Sequence, residues 1–289
     1  MTDSAFRFTR ALVRRPADAS VDGLRAVDVG APDVDAFRAH HADYVLALER
    51  AGVTVTVLPA AEAFPDSVFV EDAALCLPEC AVLLRPGAPS RRGEVALLRP
   101  VLEALYRRVL VLDGPGSVEG GDVLATGREI LVGLSARTDA AGVERLAALL
   151  SPFGHVVRSV RTPPDVLHFK TDCSLLGAGI VLATERLAAG GLFDDYRVVP
   201  VAPGEQACAN AIRVNDRVLF PAGFPVTARR LRDAGFALSE IDNSEAARLD
   251  GGMSCLSLRF SIDPHARAAT LPGAHEDSNT SDTGAGGPR

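Results

Sequence analysis

Asp122-Val-Leu-Ala-Thr-Gly-Arg-Glu-Ile-Leu-Val-Gly133, Ala140-Ala-Gly-Val-Glu-Arg-Leu-Ala-Ala-Leu-Leu150 and His155-Val-Val-Arg-Ser-Val160 follow one another in the middle of the chain. Asp122–Ala125 and Glu129–Gly133 are short apolar runs rich in Val, Ile and Leu, separated by a Gly-containing turn, and both predict strands. The spacing of Val143, Leu146, Ala147, Leu149 and Leu150 predicts a helix over 140–150. The run 155–160 then predicts a third strand, so the stretch reads as one ββαβ unit.

The same order recurs on either side. Ala11-Leu-Val-Arg14, a helix over Pro32–Ala51 and Val53–Leu58 form a first unit, and Met253–Phe260 is left over to complete it. A second holds Ser67–Val70, Ala81–Leu84, a helix from Glu94 to Tyr106 and Val109–Leu112. Leu167–Lys170, Gly179–Ala183, a weaker helix over Thr184–Ala189 and Arg197–Val201 make a fourth. The fifth has Ala211–Val214, Arg217–Phe220, a helix from Thr227 to Ala234 and Phe236–Ile241. A period of roughly 40–50 residues falls in the range of repeat architectures. On pattern alone a generic α/β sheet stands equally open.

The chain has 289 residues, 47% hydrophobic and 23% charged, which is ordinary globular composition and enough length to bury a sizeable core. Thirty-seven acids against 30 bases give a net charge of -7. That balance argues against nucleic acid and anionic membrane as partners, since both are bound by clustered Lys and Arg. Met1-Thr-Asp-Ser-Ala-Phe-Arg7 shows no apolar leader, and no apolar run approaches a membrane span. With an odd count of five cysteines, the expectation is reduced thiols in a cytoplasmic protein. We expect one catalytic domain over 1–262. Residues 263–289, rich in Ala, Gly, Ser, Thr, Asp and Pro, read as a disordered tail, which takes His265 and His275 out of consideration.

Three polar stretches sit beside predicted strand ends. In Phe64-Pro-Asp-Ser-Val-Phe-Val-Glu-Asp72, strand alternation would send Glu71 and Asp72 to opposite faces, or leave them as a solvated end. Gly114-Pro-Gly-Ser-Val-Glu-Gly-Gly-Asp122 implies a tight turn around Glu119 without a phosphate-binding pattern, and a turn acid more often faces solvent. The third feature is a pair distant in sequence, His168 and Cys255. Gly251-Gly252 would let the backbone just ahead of Cys255 approach a ligand, and a thiol beside a base could become a reactive thiolate. A lone cysteine is otherwise a packing residue, which is the reading given to Cys76, Cys80, Cys173 and Cys208. His40 and His41 fall on the polar side of the first helix, and Arg91 and Arg137 could be surface charges.

Taken in order, Asp22-Gly-Leu24, Phe64–Asp72, Arg85-Pro-Gly-Ala-Pro-Ser-Arg-Arg92, Gly116–Asp122, Ser135-Ala-Arg-Thr138, Leu167-His-Phe-Lys170 and Asp250-Gly-Gly-Met-Ser-Cys255 resemble dimethylarginine dimethylaminohydrolases, within the amidinotransferase and arginine deiminase superfamily. The resemblance spans residues 8–260. It implies a five-bladed α/β propeller of pseudo-symmetric ββαβ units, and hydrolysis of N-omega-methylated arginines to citrulline. Carried over residue by residue, it makes Cys255 the nucleophile, His168 the acid and base, and Glu119 the acid that orients His168. Asp66, Glu71 and Asp72 match the carboxylates around the guanidinium. Arg91 and Arg137 match the clamp on the substrate carboxylate, and the Leu24 carbonyl the contact to its amine. The resemblance calls for no cofactor or metal, though Zn²⁺ held by Cys255 and His168 would inhibit. A monomer or homodimer is expected, with the methylated arginine as its only partner. Two alternatives remain: an arginine deiminase acting on free arginine, disfavoured because the body has no room for an inserted helical domain, and a silent binder, which would have no need of the thiol.

Overall fold

A computed structural model describes residues 5–263. It contains five three-stranded sheets of one design. Each sheet holds an inner, a middle and an outer strand, which follow one another in sequence in four of the five. The inner strand runs antiparallel to the middle one, and the outer strand runs parallel to it after a helical crossover.

Blade 1 joins the two ends of the body: β15 (Leu258–Phe260) pairs with β1 (Arg10–Arg14), and β1 with β2 (Thr54–Leu58) across α1 (Val34–Arg50). Blade 2 is β3 (Ala74–Cys76), β4 (Ala81–Leu83), α2 (Glu94–Leu105) and β5 (Val109–Val111). Blade 3 is β6 (Val123–Ala125), β7 (Ile130–Leu134), α3 (Ala140–Leu150) and β8 (Val157–Arg161). In blade 4 come β9 (Cys173–Gly177), β10 (Ile180–Ala183), α4 (Glu185–Ala188) and β11 (Arg197–Pro200). Blade 5 has β12 (Ile212–Val214), β13 (Arg217–Pro221), α5 (Pro225–Asp233) and β14 (Ala237–Ile241), with α6 (Ser244–Ala247) leading back to β15. Local signals fix the helix starts: Asp33 accepts from the Asp35 and Ala36 N–H groups, Asp139 from that of Gly142.

The packing explains why these strands are apolar throughout. Each middle strand is buried on both faces, as expected of a strand covered on two sides. Val82 faces a core shared with blade 3, while Ala81 and Leu83 face one shared with blade 1. Leu131 turns toward blade 4, Ile130 and Val132 toward blade 2. Leu182 packs with blade 5, whereas Val181 and Ala183 pack with blade 3. Val218 and Phe220 meet blade 4, and Leu219 meets Ala11 and Val13 of blade 1. The last core closes the circle, so hydrophobic burial, the dominant favourable term in folding, runs around the whole molecule. The chain is a five-bladed α/β propeller.

Three expected strands are displaced. Residues 67–70 and 167–170 are not strands; each leads into a 3₁₀ turn (Val70–Ala73 and Phe169–Thr171), and the inner strand begins only at Ala74 or Cys173. Of 253–260, only Leu258–Phe260 is a strand. In the last two stretches polar side chains from adjacent blades capture backbone N–H groups, Asp122 that of Phe169 and Asn210 that of Ser254, and so compete with the sheet ladder; in the first the N–H groups of Ser67, Phe69 and Val70 bond to carbonyls within the turn. His41 also departs from its expected polar position. It is buried, and burial, aided by the charge of Arg15, lowers its pKa to about 4. Beyond Asp263, the expected tail lies outside the described residues. Among the described residues no helix is long and apolar enough to cross a membrane.

Candidate active site

Each inner strand is preceded by a short turn, and the five turns meet at one end of the propeller: Val70–Ala73, Gly120–Asp122, Phe169–Thr171, Gln206–Ala209 and the turn through Ser254 and Cys255. Hydrogen bonds link them. The Gly121 N–H donates to Asp72 Oδ1 at 2.8 Å, Phe169 N–H to Asp122 Oδ1 at 2.8 Å, and Ser254 N–H to Asn210 Oδ1 at 2.9 Å. The Glu71 N–H donates to the Cys255 carbonyl at 3.3 Å. Buried backbone donors require such partners, and these bonds span four of the five junctions between neighbouring turns.

The ring of turns divides two spaces. Below it lies a cavity of about 300 Å³ between the inner strands, lined by Leu75, Leu124, Leu175, Arg213 and Arg259 among others. Above it is a narrower pocket bounded by Leu24, Asp66, Asp72, Arg91, Glu119, Arg137, His168 and Cys255. Every site residue expected from sequence is therefore gathered there except Glu71. Adjacent residues face opposite ways, Glu71 down and Asp72 up, although a 3₁₀ turn and not strand alternation separates them. The larger cavity is thus not where the thiol, imidazole and carboxylates meet.

His168 lies at the start of its turn and is buried; its Nε2 is 2.7 Å from Glu119 Oε2. Burial by itself would lower the His168 pKa. The charge of Asp72, the hydrogen bond to Glu119 and the charges of Asp122 and Glu119 overcome it and raise the pKa to about 9. Burial pushes the other way on Glu119 as well, but His168, the Ala88 N–H and Arg91 bring its carboxyl down to about 2. The pair is a charged imidazolium–carboxylate at neutral pH. Gly121 makes room for it, since a Cβ there would stand 2.6 Å from His168 Nδ1.

Cys255 is buried, and its Sγ accepts from the Gly252 N–H at 3.4 Å. Burial first, then the charges of Asp72 and Glu71, push its thiol up to about 12; the Gly252 N–H and Lys170 oppose them. Glu71 holds the turn from below, accepting from Ser254 Oγ at 2.6 Å, Arg259 Nη2 at 2.8 Å and Lys170 Nζ at 2.6 Å. Ser254, Arg259 and Lys170, with Asn210 and Asp122, are not among the residues the sequence singles out. Ser254, Lys170 and Asp122 lie inside the polar stretches; Asn210 follows an unremarkable Gln206-Ala-Cys-Ala209, and no sequence signal marks it.

Arg91 is buried and extensively bonded. Nη1 donates to Asp72 at 2.5 Å, Nη2 to the Asp66 and Phe69 carbonyls, and Glu94 receives both Nε and Nη2. Arg137 is more exposed, 3.5 Å from Glu119 Oε1. Asp66 accepts from the Leu24 N–H at 2.9 Å, and Asp250 from the Ala26 N–H at 2.6 Å, so two acids fasten the loop that covers the pocket. One donor atom each from Asp72, Glu119 and His168 lies within 4.8 Å of the others, a set with the chemistry to take a metal ion.

Fold and site together define a propeller of the amidinotransferase superfamily, and the arginine deiminase family model matches residues 60–176. Over 88% of this chain and all of the relative, it is 39% identical to N(G),N(G)-dimethylarginine dimethylaminohydrolase from Pseudomonas aeruginosa. The Streptomyces coelicolor protein of the same name is 36% identical over 87% of this chain and 96% of its own. A Cys-to-Ser mutant of the Pseudomonas protein complexed with citrulline superposes with a TM-score of 0.86 over 88% of this chain and 100% of that one. The chain belongs to the dimethylarginine dimethylaminohydrolase family. The N-terminal domain of ArgZ, a cyanobacterial arginine dihydrolase, shares the fold at 21% identity, with a TM-score of 0.78 over 88% of this chain and 97% of that domain.

Proposed function

We propose that this protein hydrolyses N-omega-methylated arginines to citrulline and methylamine or dimethylamine through a covalent intermediate on Cys255. The observation that carries this reading is one pocket holding a thiol, an imidazolium–carboxylate pair and two further carboxylates. Related structures support it: the Pseudomonas Cys-to-Ser mutant has citrulline bound, and a His-to-Gly variant of a dimethylarginine dimethylaminohydrolase, 39% identical to this chain, is an adduct with S-methyl-L-thiocitrulline.

A guanidinium is planar, cationic and weakly electrophilic. Asp66 and Asp72 are placed to hold it and keep it charged, which preserves the electrophilicity of its carbon. The free thiol lies far above neutrality, so arrival of this cation supplies the field that releases the thiolate. Sγ then attacks the guanidinium carbon. The C–N bond to the methylated nitrogen breaks as His168 gives that nitrogen its proton, and the amine leaves neutral. His168, now a base, takes a proton from water as the oxygen adds to the thiouronium carbon. The C–S bond breaks as the added hydroxyl loses its remaining proton to solvent, citrulline departs and the thiolate is restored. No step draws on a metal or organic cofactor.

Arg137 and Arg91 are the cations proposed for the substrate carboxylate, and the Leu24 carbonyl the acceptor for its amine. Arg137 is the more available of the two cations. Glu71 serves the reaction from beneath by holding the Cys255 turn. The arginine deiminase match gives one competing reading, deimination of free arginine. Citrulline formation from asymmetric dimethylarginine, monomethylarginine and arginine separates the two. A higher kcat/KM for the methylated substrates is expected; preference for arginine would overturn the reading.

A further inference from the structure

The ring of turns uses one device three times, with a difference where the thiol sits. In blades 2 and 3 the residue that accepts the neighbouring turn's N–H is a carboxylate, Asp72 or Asp122; in blade 5 it is the amide Asn210. Asn210 is buried, and Gly252 gives it room, because a Cβ at 252 would lie 2.3 Å from its Cγ. The Ser254 N–H can only donate, so it fixes Oδ1 on its own side and turns Nδ2 away. Nδ2 then lies 4.0 Å from Cys255 Sγ.

We infer that Asn210 is a catalytic residue that donates from Nδ2 to the Cys255 thiolate, forming with the Gly252 N–H a two-donor cradle for the sulfur anion. The inference rests on Cys255 being the nucleophile. A carboxylate at 210 would serve the ring equally well, as it does at 72 and 122. It would also set a third negative charge against a sulfur already opposed by Asp72 and Glu71. The amide keeps the structural bond and replaces the charge with a donor. Other groups act on the thiol as well: Lys170 favours its anion, and His168, Glu119, Asp66, Arg91 and Arg137 share the pocket. They are common to every variant below. Sulfur anions gain from N–H donors as oxyanions do, by stabilising charge where it develops.

Asn210→Asp and Asn210→Ala separate the donor role from the structural one. Asp retains the acceptor for Ser254 and loses the donor; Ala loses both. The measurement is the second-order rate of iodoacetamide alkylation of Cys255 in substrate-free protein over pH 7–10, with Cys255→Ser as background, beside kcat/KM for asymmetric dimethylarginine. One unit of thiol pKa is a tenfold change in thiolate. Greater nucleophilicity of the more basic sulfur returns part of that, leaving a loss of about threefold or more in alkylation rate. The expected order of rates is wild type, then Ala, then Asp, with kcat/KM falling in the same order. An Asp variant as reactive as wild type, or an Ala variant with an unchanged alkylation rate, would overturn the inference. Alkylation of Cys255 that leaves wild-type turnover intact would remove the nucleophile reading itself, and with it any catalytic meaning for Asn210.

Discussion

At His168 the charge of Asp72, the hydrogen bond to Glu119 and the charges of Asp122 and Glu119 together decide whether the imidazole carries its proton. Without its acidic neighbours a buried imidazole would be neutral at pH 7. Held at about 9, His168 is instead a cation ready to protonate a departing amine. Glu119→Gln removes the partner and a charge, so the His168 pKa falls and the alkaline limb of the kcat pH profile moves to lower pH. The loss in kcat is expected at about 10²–10⁴-fold, the usual worth of a general acid. An alkaline limb that stays in place would contradict the pairing. The stability effect has a definite sign. The raised His168 pKa contributes fully below 6.5 and is lost as pH climbs through about 9. The depressed Glu119 pKa contributes above 4.5 and is lost as pH falls toward about 2. The pair therefore stabilises most between these limits. In sequence, Glu119 looked like an ordinary turn acid and Cys255 like packing, because the contact joining 119 to 168 lies in the third dimension. Only the ordered set of motifs brought these residues forward, and it could not reveal Asn210, whose role depends on which way an amide turns.

The turns, more than the strands, are the elements that build this site. The middle strands and helices are legible in the sequence, because apolar residues on both faces and 3.6-residue spacing leave plain traces; α3 begins and ends where its pattern does. Ser67–Val70 and Leu167–Lys170 carry the same apolar signal as a strand, although their apolar residues are buried by the turns and not by a ladder. Short apolar runs do not say whether their N–H groups bond to a strand or to the side chain of a distant Asp. The glycines of the Gly120–Asp122 turn in blade 3 carry a direct test. Gly121→Ala would drive a methyl against the His168 ring, with Cβ 2.6 Å from Nδ1 and 2.7 Å from Cγ. We expect kcat to fall at least about tenfold, since a small misplacement of a catalytic group is costly, while the far-UV circular dichroism spectrum stays native. Undiminished kcat would show that the ring has room to move.

For the molecule as a whole, closure of the propeller is both the source of stability and the reason for the site. Leu258–Phe260 returns from the far end of the body to pair with Arg10–Arg14, placing Cys255, three residues ahead of that strand, opposite turns from the other four blades. Phe260 is almost wholly buried in the core shared by blades 1 and 2, with its ring 5.4 Å from that of Tyr106. Phe260→Ala is expected to cost about 3–5 kcal/mol, the range for a buried Phe, read as a lower denaturation midpoint. A loss under about 1 kcal/mol would mean that closure adds little. In the proposed reaction Cys255 forms the bond to the guanidinium carbon. That bond is tested by release of citrulline and dimethylamine from asymmetric dimethylarginine by wild type and by Cys255→Ser, a near-isosteric change that leaves the pocket intact. Equimolar release of both products by wild type and none above background by the Ser variant is the predicted result; comparable turnover by the two proteins would contradict it.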